Sequence, residues 1–223
     1  IRSEGEDITD FMKYQRAFRD HLSPNMSSHE KIITIQEDFK AVGKDLDRDG
    51  ARKYIKTVYE YTDYLYKDIR RAQLDELEGK PIEDARLKEK IDLIDEYIAS
   101  APLYPKDIPL YRGFGSRNIE NLLDFEKAYV SGEPITMSGI SSWSSAEEIA
   151  HDFVKNKDNV AIFELVSNKT GVSIKHLSMF PGEDEVLFGT NARYKIIGKS
   201  EVEIEGKGVV PVYKVEEVTG ERK

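Results

Sequence analysis

The sequence predicts an α+β fold in which a helical N-terminal lobe packs on a mainly antiparallel core of strands. Up to about residue 100, apolar residues recur at intervals of three and four among Glu, Lys and Arg, as they do along one face of a helix. Beyond Pro102 the chain has short segments rich in Val, Ile, Phe and Tyr, which are typical of strands. Helices followed by strands favour the α+β class over an alternating α/β arrangement.

The helical part divides into four predicted segments. They cover residues 8–21, 28–46, 52–77 and 82–100. Ser27, Ser28 and Glu30 offer a capping signal for the second helix, since a serine oxygen can accept a free amide of the first turn. Gly79-Lys80-Pro81 separates the third helix from the fourth.

The second part is predicted to contain six strands and two helices. The strands cover 108–112, 160–165, 172–174, 185–188, 194–205 and 209–218, and the helices cover 119–130 and 146–155. Gly206-Lys207-Gly208 predicts a hairpin turn between the last two strands, because glycine adopts positive φ without strain. We expect a helical lobe over 1–100 and a core over 101–223, joined as one unit from about residue 50.

Composition excludes several classes of function. A net charge of -9 argues against general binding to nucleic acid or an anionic membrane. The chain has no Cys, which excludes disulfides, thiolate metal sites and cysteine nucleophiles. No window approaches the about 20 apolar residues of a membrane span. These properties fit a cytosolic protein and equally a secreted toxin that unfolds in transit.

Two motif-like segments are better explained by ordinary turns. Residues 45–50 imitate the start of a calcium loop, but Lys56 stands where the loop needs a bidentate Glu, so a turn between helices is the better interpretation. Residues 113–118 imitate a dinucleotide fingerprint, but Asn118 replaces its third glycine. The four histidines have no metal-site spacing, and we predict no metal ion.

Two further segments carry candidate chemistry. Tyr111-Arg112-Gly113 ends a predicted strand; Arg presents a planar fork suited to phosphate, and Gly lets a ligand approach the backbone. Ser142 lies in the serine-rich segment 139–145, where an extended backbone would direct its hydroxyl at a neighbouring strand. Taken singly, Arg112 is better explained as a surface residue that forms an ion pair, and the serines are readily explained as helix caps.

The third candidate is the carboxylate pair Glu183 and Glu185. Residues two apart on a strand share a face and lie about 7 Å apart. We therefore expect both carboxylates to point the same way at the start of an apolar strand. The alternative is a solvated acidic loop.

The order of Arg112, Ser142, Glu183 and Glu185 resembles the arginine–serine–glutamate (R-S-ExE) class of mono-ADP-ribosyltransferases. The likeness is to C3-like and binary-toxin enzymatic domains and their phage or effector relatives, and it extends over about residues 50–218. Within this class, the segment 178–187 resembles the toxin-turn (ARTT) loop and the strand that follows it. The resemblance implies a mixed, mainly antiparallel core of two sheets.

Other segments of the chain add to the resemblance. The segment 105–113 resembles the strand that carries the arginine of the class. Tyr61 and Thr62, followed by Tyr66 and Ile69, resemble the helix before its core.

The resemblance also implies roles in binding NAD⁺, the cosubstrate. Arg112 would hold the phosphates, and the backbone of Gly113 would bind the nicotinamide amide. Ser142 would orient Glu185, which would hydrogen-bond the ribose 2′-hydroxyl and stabilise the positive charge that develops as nicotinamide leaves. Phe153 would stack on nicotinamide.

Specificity is implied by the loop before the strand. Phe180 would touch the protein substrate. In this family a Glu at the position of Glu183 goes with arginine acceptors, so the resemblance implies transfer to arginine of a target protein. Two alternatives remain open: an NAD⁺ glycohydrolase that uses water as acceptor, and a catalytically inactive module that keeps the fold for binding.

The sequence departs from the family at three positions. Trp143 replaces the middle Thr of Ser-Thr-Ser, Arg70 replaces a helical Asn, and Asn156 replaces an Arg. Lys155 and Lys157 are candidates to supply the phosphate contact of that Arg. The resemblance further implies a toxin or effector secreted into a target-cell cytosol, or a phage protein acting in the host cytoplasm. The alternative role of the helical lobe is to bind an inhibitor or delivery partner.

Overall fold

A computed structural model describes residues 26–220 of the chain. The helix predicted over 8–21 lies outside these residues. Within them the fold is α+β, with helices first and a mostly antiparallel sheet later, which confirms the predicted fold class.

The described helices agree with the predicted ones to within a few residues at most ends. They are α1 (Ser28–Ala41), α2 (Arg48–Glu60), α3 (Tyr66–Leu77), α4 (Ala85–Ser100), α5 (Ile119–Ser131) and α6 (Glu147–Val154). Ser27 caps α1 and forms a capping box with Glu30, as predicted. Asp47 caps α2 by accepting a hydrogen bond from the Gly50 amide at 2.7 Å, so the calcium-like segment is the start of a helix.

The helix predicted over 52–77 contains a local irregularity. A π-helical turn, Tyr61–Leu65, joins α2 to α3, and the side chains of Tyr61, Thr62 and Leu65 are buried. A π-turn inserts one residue into the helical repeat and shifts the faces on either side of it. The side chains before and after the turn can therefore both face the sheet.

Seven strands form the sheet. They are β1 (Leu110–Phe114), β2 (Ser141–Ser144), β3 (Ala161–Ser167), β4 (Val172–Ser173), β5 (Glu185–Phe188), β6 (Tyr194–Ile204) and β7 (Gly208–Glu217). Their order is β4-β5-β2-β1-β3-β7-β6, and every neighbouring pair is antiparallel except β3 with β7. Gly206 has a φ of 80° in the turn between β6 and β7, which confirms the predicted hairpin.

The strands are joined by hydrogen bonds into one sheet, where the resemblance implied two. The connection between the halves is narrow, because β1 and β2 meet at the single pair Tyr111 and Ser144. The half formed by β4, β5 and β2 is thus held to the other half by little backbone pairing.

The strand β5 is buried on both faces. Leu187 packs in a core that also contains Ile35, Ile94 and Tyr97 of the helical lobe. Phe188, on the other face, belongs to a second core between the sheet and α5. The helical lobe therefore covers the face of β5 on which Leu187 and Glu185 lie.

Candidate active site

The predicted serine and the second glutamate meet on the sheet face that the helical lobe covers. Ser142 of β2 is paired with Leu187 of β5, and Ser144 with Glu185. Because alternate residues share a face, Ser142 and Glu185 point to the same side. The hydroxyl of Ser142 donates a hydrogen bond to Oε1 of Glu185.

Arg112 connects β1 to this pair. Its Nη1 donates to the backbone oxygen of Ser142 at 2.7 Å. The backbones of β1 and β2 pair only at Tyr111 and Ser144. Next to that pair, the hydrogen bond from the Arg112 side chain joins the two strands in place of a backbone hydrogen bond. Burial lowers the pKa of Arg112, while the charges of Tyr61, Tyr194 and Glu185 oppose that shift. Nε of Arg112 is buried and has no hydrogen-bond acceptor within residues 26–220.

Glu185 is a buried carboxyl group near its point of half-ionisation at neutral pH. Only 6 % of the residue is exposed. Burial raises its pKa from 4.5 to about 7; the hydrogen bond from Ser142 lowers the pKa, the charge of Glu183 raises it, and Arg112 lowers it. The carboxylate form is thus retained mainly through Ser142 and Arg112.

Glu183 does not share a strand face with Glu185, and that part of the prediction is wrong. Glu183 ends a short 3₁₀ turn, Pro181–Glu183, and Asp184 has left-handed backbone angles of φ 47° and ψ 48°. The strand begins only at Glu185. Glu183 is exposed, its pKa is raised by partial burial, and its charge acts on Glu185. The two carboxylates are therefore neighbours across a turn.

The loop 178–183 before β5 is fastened to both the helical lobe and the sheet. The amide of Met179 donates to Oγ1 of Thr62 in the π-turn at 3.0 Å. The hydroxyl of Ser144 donates to the backbone oxygen of Glu183 at 2.6 Å. Phe180, predicted to touch the protein substrate, is 46 % exposed on this loop.

Gly113 and Phe153, both predicted to bind nicotinamide, lie against each other. A Cβ on Gly113 would stand 2.8 Å from Cδ1 of Phe153 and 2.8 Å from the backbone oxygen of Ala150, so only glycine fits. Phe153 is 50 % exposed, and Nζ of Lys157 lies 5.1 Å from its ring centroid. Lys155, the other candidate lysine, pairs with Asp152 at 2.8 Å.

Sequence reasoning did not identify Tyr61 and Arg70 as site residues. Burial raises the pKa of Tyr61, and the charge of Glu185 raises it further. Arg70 donates from Nη1 to the backbone oxygen of Met137. Burial and repulsion by Arg112 lower its pKa to about 10. Apolar periodicity assigned this stretch to a helix. The likeness of 61–69 to the helix before the family's core and the departure at residue 70 marked the stretch, but neither gave Tyr61 or Arg70 a role in the site.

Trp143, the bulky departure within the serine motif, points away from the site. It is paired with Val186, on the opposite face of β2 from Ser142. Its side chain is 1 % exposed and packs on Phe188 and Tyr194, with ring centroids 5.8 and 5.2 Å apart. The substitution therefore fills the second core.

Between residues 26 and 220 no group of three or more His, Asp or Glu side chains is placed to hold a metal ion. No helix in the same range combines the length and apolarity needed to cross a membrane.

The family comparison covers most of the chain. Residues 36–217 match the model of a family described as ADP-ribosyltransferase exoenzyme. No curated protein sequence matches the chain.

Solved structures with a similar fold include bacterial ADP-ribosyltransferases. A C3-type ADP-ribosyltransferase of Clostridium botulinum is 17 % identical, with a TM-score of 0.57 over 97 % of this chain and 99 % of that one. Vis, from Vibrio splendidus, solved in complex with agmatine, is 22 % identical, with a TM-score of 0.59 over 90 % and 91 %. HopU1 of Pseudomonas syringae pv. Tomato is 14 % identical, with a TM-score of 0.60 over 97 % and 100 %. At these identities the likeness is one of fold.

Proposed function

Because the chain belongs to the ADP-ribosyltransferase exoenzyme family, whose members use NAD⁺ as substrate, we propose that it transfers ADP-ribose from NAD⁺ to arginine of a target protein. One observation carries the proposal. Ser142 holds a buried Glu185 beside Arg112, and a second carboxylate, Glu183, stands at the exposed rim. This arrangement supports membership of the R-S-ExE class, in which 178–183 would serve as the ARTT loop.

The unpaired donor of Arg112 supports NAD⁺ as the ligand. A buried guanidinium nitrogen without an acceptor is costly unless a ligand supplies one, and phosphate oxygens fit its planar fork. Arg70 adds a second guanidinium: burial lowers its pKa, and repulsion by the nearby Arg112 lowers it further. Among the carboxylates, Glu185 is the one whose negative charge raises the pKa of Arg112. A pyrophosphate would balance this excess of positive charge.

Glu185 is proposed to assist the departure of nicotinamide. The bond between ribose C1′ and the nicotinamide nitrogen breaks, and its electron pair leaves with nicotinamide. The ribose becomes positively charged, and a carboxylate placed beside it stabilises that charge. Gly113 and Phe153 would receive the nicotinamide, because their close packing leaves an aromatic face beside a side-chain-free backbone.

Glu183 is proposed to activate the arginine. A guanidinium is protonated at neutral pH and is a poor nucleophile until a carboxylate orients it and takes a proton. The guanidinium nitrogen then forms a bond to C1′, and its proton goes to Glu183. The agmatine bound by Vis carries a guanidinium group, which is consistent with an acceptor of this chemistry.

Labelled NAD⁺ and a cell lysate test the proposal, with Glu185→Ala as the comparison. We expect a labelled protein band that is lost with Glu185→Ala and released by chemistry selective for arginine-linked ADP-ribose. Free nicotinamide produced through Glu185 without any band would favour the glycohydrolase. Absence of label, of nicotinamide and of NAD⁺ binding would favour a module that keeps the fold for docking.

Membership of this family also bears on where the protein acts and on its partners. The neighbours include proteins named as toxins, such as Vis and the enzymatic component of C2-toxin. We therefore propose that the chain acts as a toxin or effector in a target-cell cytosol, or as a phage protein in its host. Its partner would be the arginine-bearing target, and the helical lobe could additionally bind an inhibitor or delivery component.

Arg70→Met should weaken NAD⁺ binding by about tenfold to a hundredfold, the worth of a charge-assisted hydrogen bond to phosphate. The effect should fall on KM rather than kcat, because the pyrophosphate does not change charge in the reaction. Steady-state release of nicotinamide measures both constants. Arg71→Met, which removes the arginine next to it in the chain, is the control. An unchanged KM would show that Arg70 does not bind NAD⁺ and that its role is the hydrogen bond to the backbone oxygen of Met137.

A further inference from the structure

The turn between the two glutamates has a backbone conformation that needs support. Asp184 has a φ of 47°, in the left-handed region that is uncommon for residues with a Cβ, although Asn and Asp adopt it more readily than the others. Such a conformation persists only where the surrounding structure holds it. Because Asp184 directly follows Glu183, its φ and ψ decide how Glu183 is directed relative to Glu185.

One side chain from a neighbouring segment reaches this residue. Nζ of Lys175 donates to Oδ1 of Asp184, and the two side chains are only 15 % and 22 % exposed. An ion pair shielded in this way is screened less by solvent and salt than one on the open surface. Glu183 itself is held through its backbone: its amide donates to the backbone oxygen of Phe180 at 3.0 Å, and its backbone oxygen accepts from Ser144.

The backbone that carries Lys175 is fixed to the same strand as Glu185. β4 pairs with β5, and the amide of Ile174 donates to the backbone oxygen of Glu185 at 3.0 Å. Lys175 therefore contacts Asp184 from a position that is registered to β5. Ser142 and Glu185 are held together by β2 and β5 without this ion pair.

We propose that Lys175 is a positioning residue: by pairing with Asp184 it holds the turn that directs Glu183 at the acceptor. The pair thereby sets the share of NAD⁺ turnover that ends in transfer to a guanidinium rather than to water. This inference rests on the proposed function, since it assigns control of the acceptor step. Departure of nicotinamide depends on Glu185 and is independent of the pair.

The test compares Lys175→Met with wild type, with agmatine as the soluble guanidinium acceptor. We expect the ratio of ADP-ribosyl-agmatine to free ADP-ribose to fall by about tenfold or more, because small misplacements of a reacting group are costly. Hydrolysis and KM for NAD⁺ should stay unchanged. Lys175→Arg should restore most of the ratio, and Lys106→Met, at an exposed lysine outside the loop, should leave it unchanged.

A double-mutant cycle shows whether the two residues act through each other. Lys175→Met and Asp184→Asn each remove the same ion pair, and Asn still tolerates left-handed angles. The double variant should therefore be no worse than either single variant. Additive effects would overturn the proposal.

Other outcomes are decisive as well. An unchanged ratio in Lys175→Met overturns the proposal, and so does an equal loss of transfer and hydrolysis, which would indicate a general structural role. Amide hydrogen exchange over residues 178–185 should rise in Lys175→Met and not in Lys106→Met. If wild type turns over no NAD⁺, the proposed function fails, and the exchange measurement alone decides whether Lys175 holds the turn.

Discussion

Glu183→Gln is expected to lower transfer to arginine by about 10²- to 10⁴-fold, the usual contribution of a general base. Glutamine keeps the shape of the side chain and can accept a hydrogen bond from a guanidinium, but it cannot take the proton. Hydrolysis should largely remain, because water needs less activation to trap a ribose cation than a protonated guanidinium does. Glu185, Ser142 and Arg112 keep their contacts in this variant.

Both activities are measured in one reaction that contains NAD⁺ and agmatine. The products separate the two acceptors, and Glu201→Gln at an exposed position far along β6 is the control. Equal loss of transfer and hydrolysis would instead assign Glu183 to the breaking of the glycosidic bond. Full retention of transfer would remove Glu183 from the mechanism.

Periodicity and turn chemistry account for most of the fold. The strand β5 has the predicted bounds because it is a short apolar run with a turn before it and glycine after it. The capping box at Ser27 and the glycine turn before β7 are local signals with a local physical cause. Such elements can be predicted because the decisive residues lie next to one another in the chain.

Other elements depend on contacts that one sequence does not reveal. β2 was not predicted as a strand because three of its four residues are serines, which have no strong preference for strands. It forms because β5 and β1 flank it and because Trp143 fills the core on its far face. The left-handed angles of Asp184 likewise have no local sequence signal, and the side chain that contacts Asp184, Lys175, lies nine residues earlier.

The candidate site was predictable only in part for the same reason. Arg112, Ser142 and Glu185 were identified by their order and are brought together by the sheet. Tyr61 and Arg70 reach the site from the helical lobe, across a π-turn that shifts the helix faces. Hydrophobic spacing alone predicts that such residues lie on the buried side of a helix, but it does not show which residues of the sheet they contact.

Glu185→Gln is expected to abolish both activities and at the same time to stabilise the protein at alkaline pH. Folding raises the pKa of this carboxyl from 4.5 to about 7, so the native state binds more protons than the unfolded state between those pH values. Stability therefore falls as pH rises through this window. Above it, the ionised carboxylate costs about 3 kcal/mol at most, by the conversion of pKa shift to free energy.

Urea denaturation at pH 5 and pH 8 measures this cost. The free energy of unfolding of Glu185→Gln should exceed that of wild type by up to about 3 kcal/mol at pH 8 and by little at pH 5. Glu217→Gln is the control: this buried glutamate accepts from the amides of Lys169 and Thr170 and from the Thr170 hydroxyl. Glutamine offers one acceptor fewer there, so this variant should be destabilised at both pH values.

Ionisation of Glu185 should raise the activity over the same pH range in which it lowers the stability. Only the ionised form of Glu185 stabilises a ribose cation, so kcat/KM for NAD⁺ in wild type should rise with pH and level off above an inflection near 7. The pH range that favours activity is thus the range in which Glu185 weakens the fold. If the stability difference between Glu185→Gln and wild type is the same at pH 5 and pH 8, the carboxyl does not titrate in this range. An inflection in activity would then belong to another group.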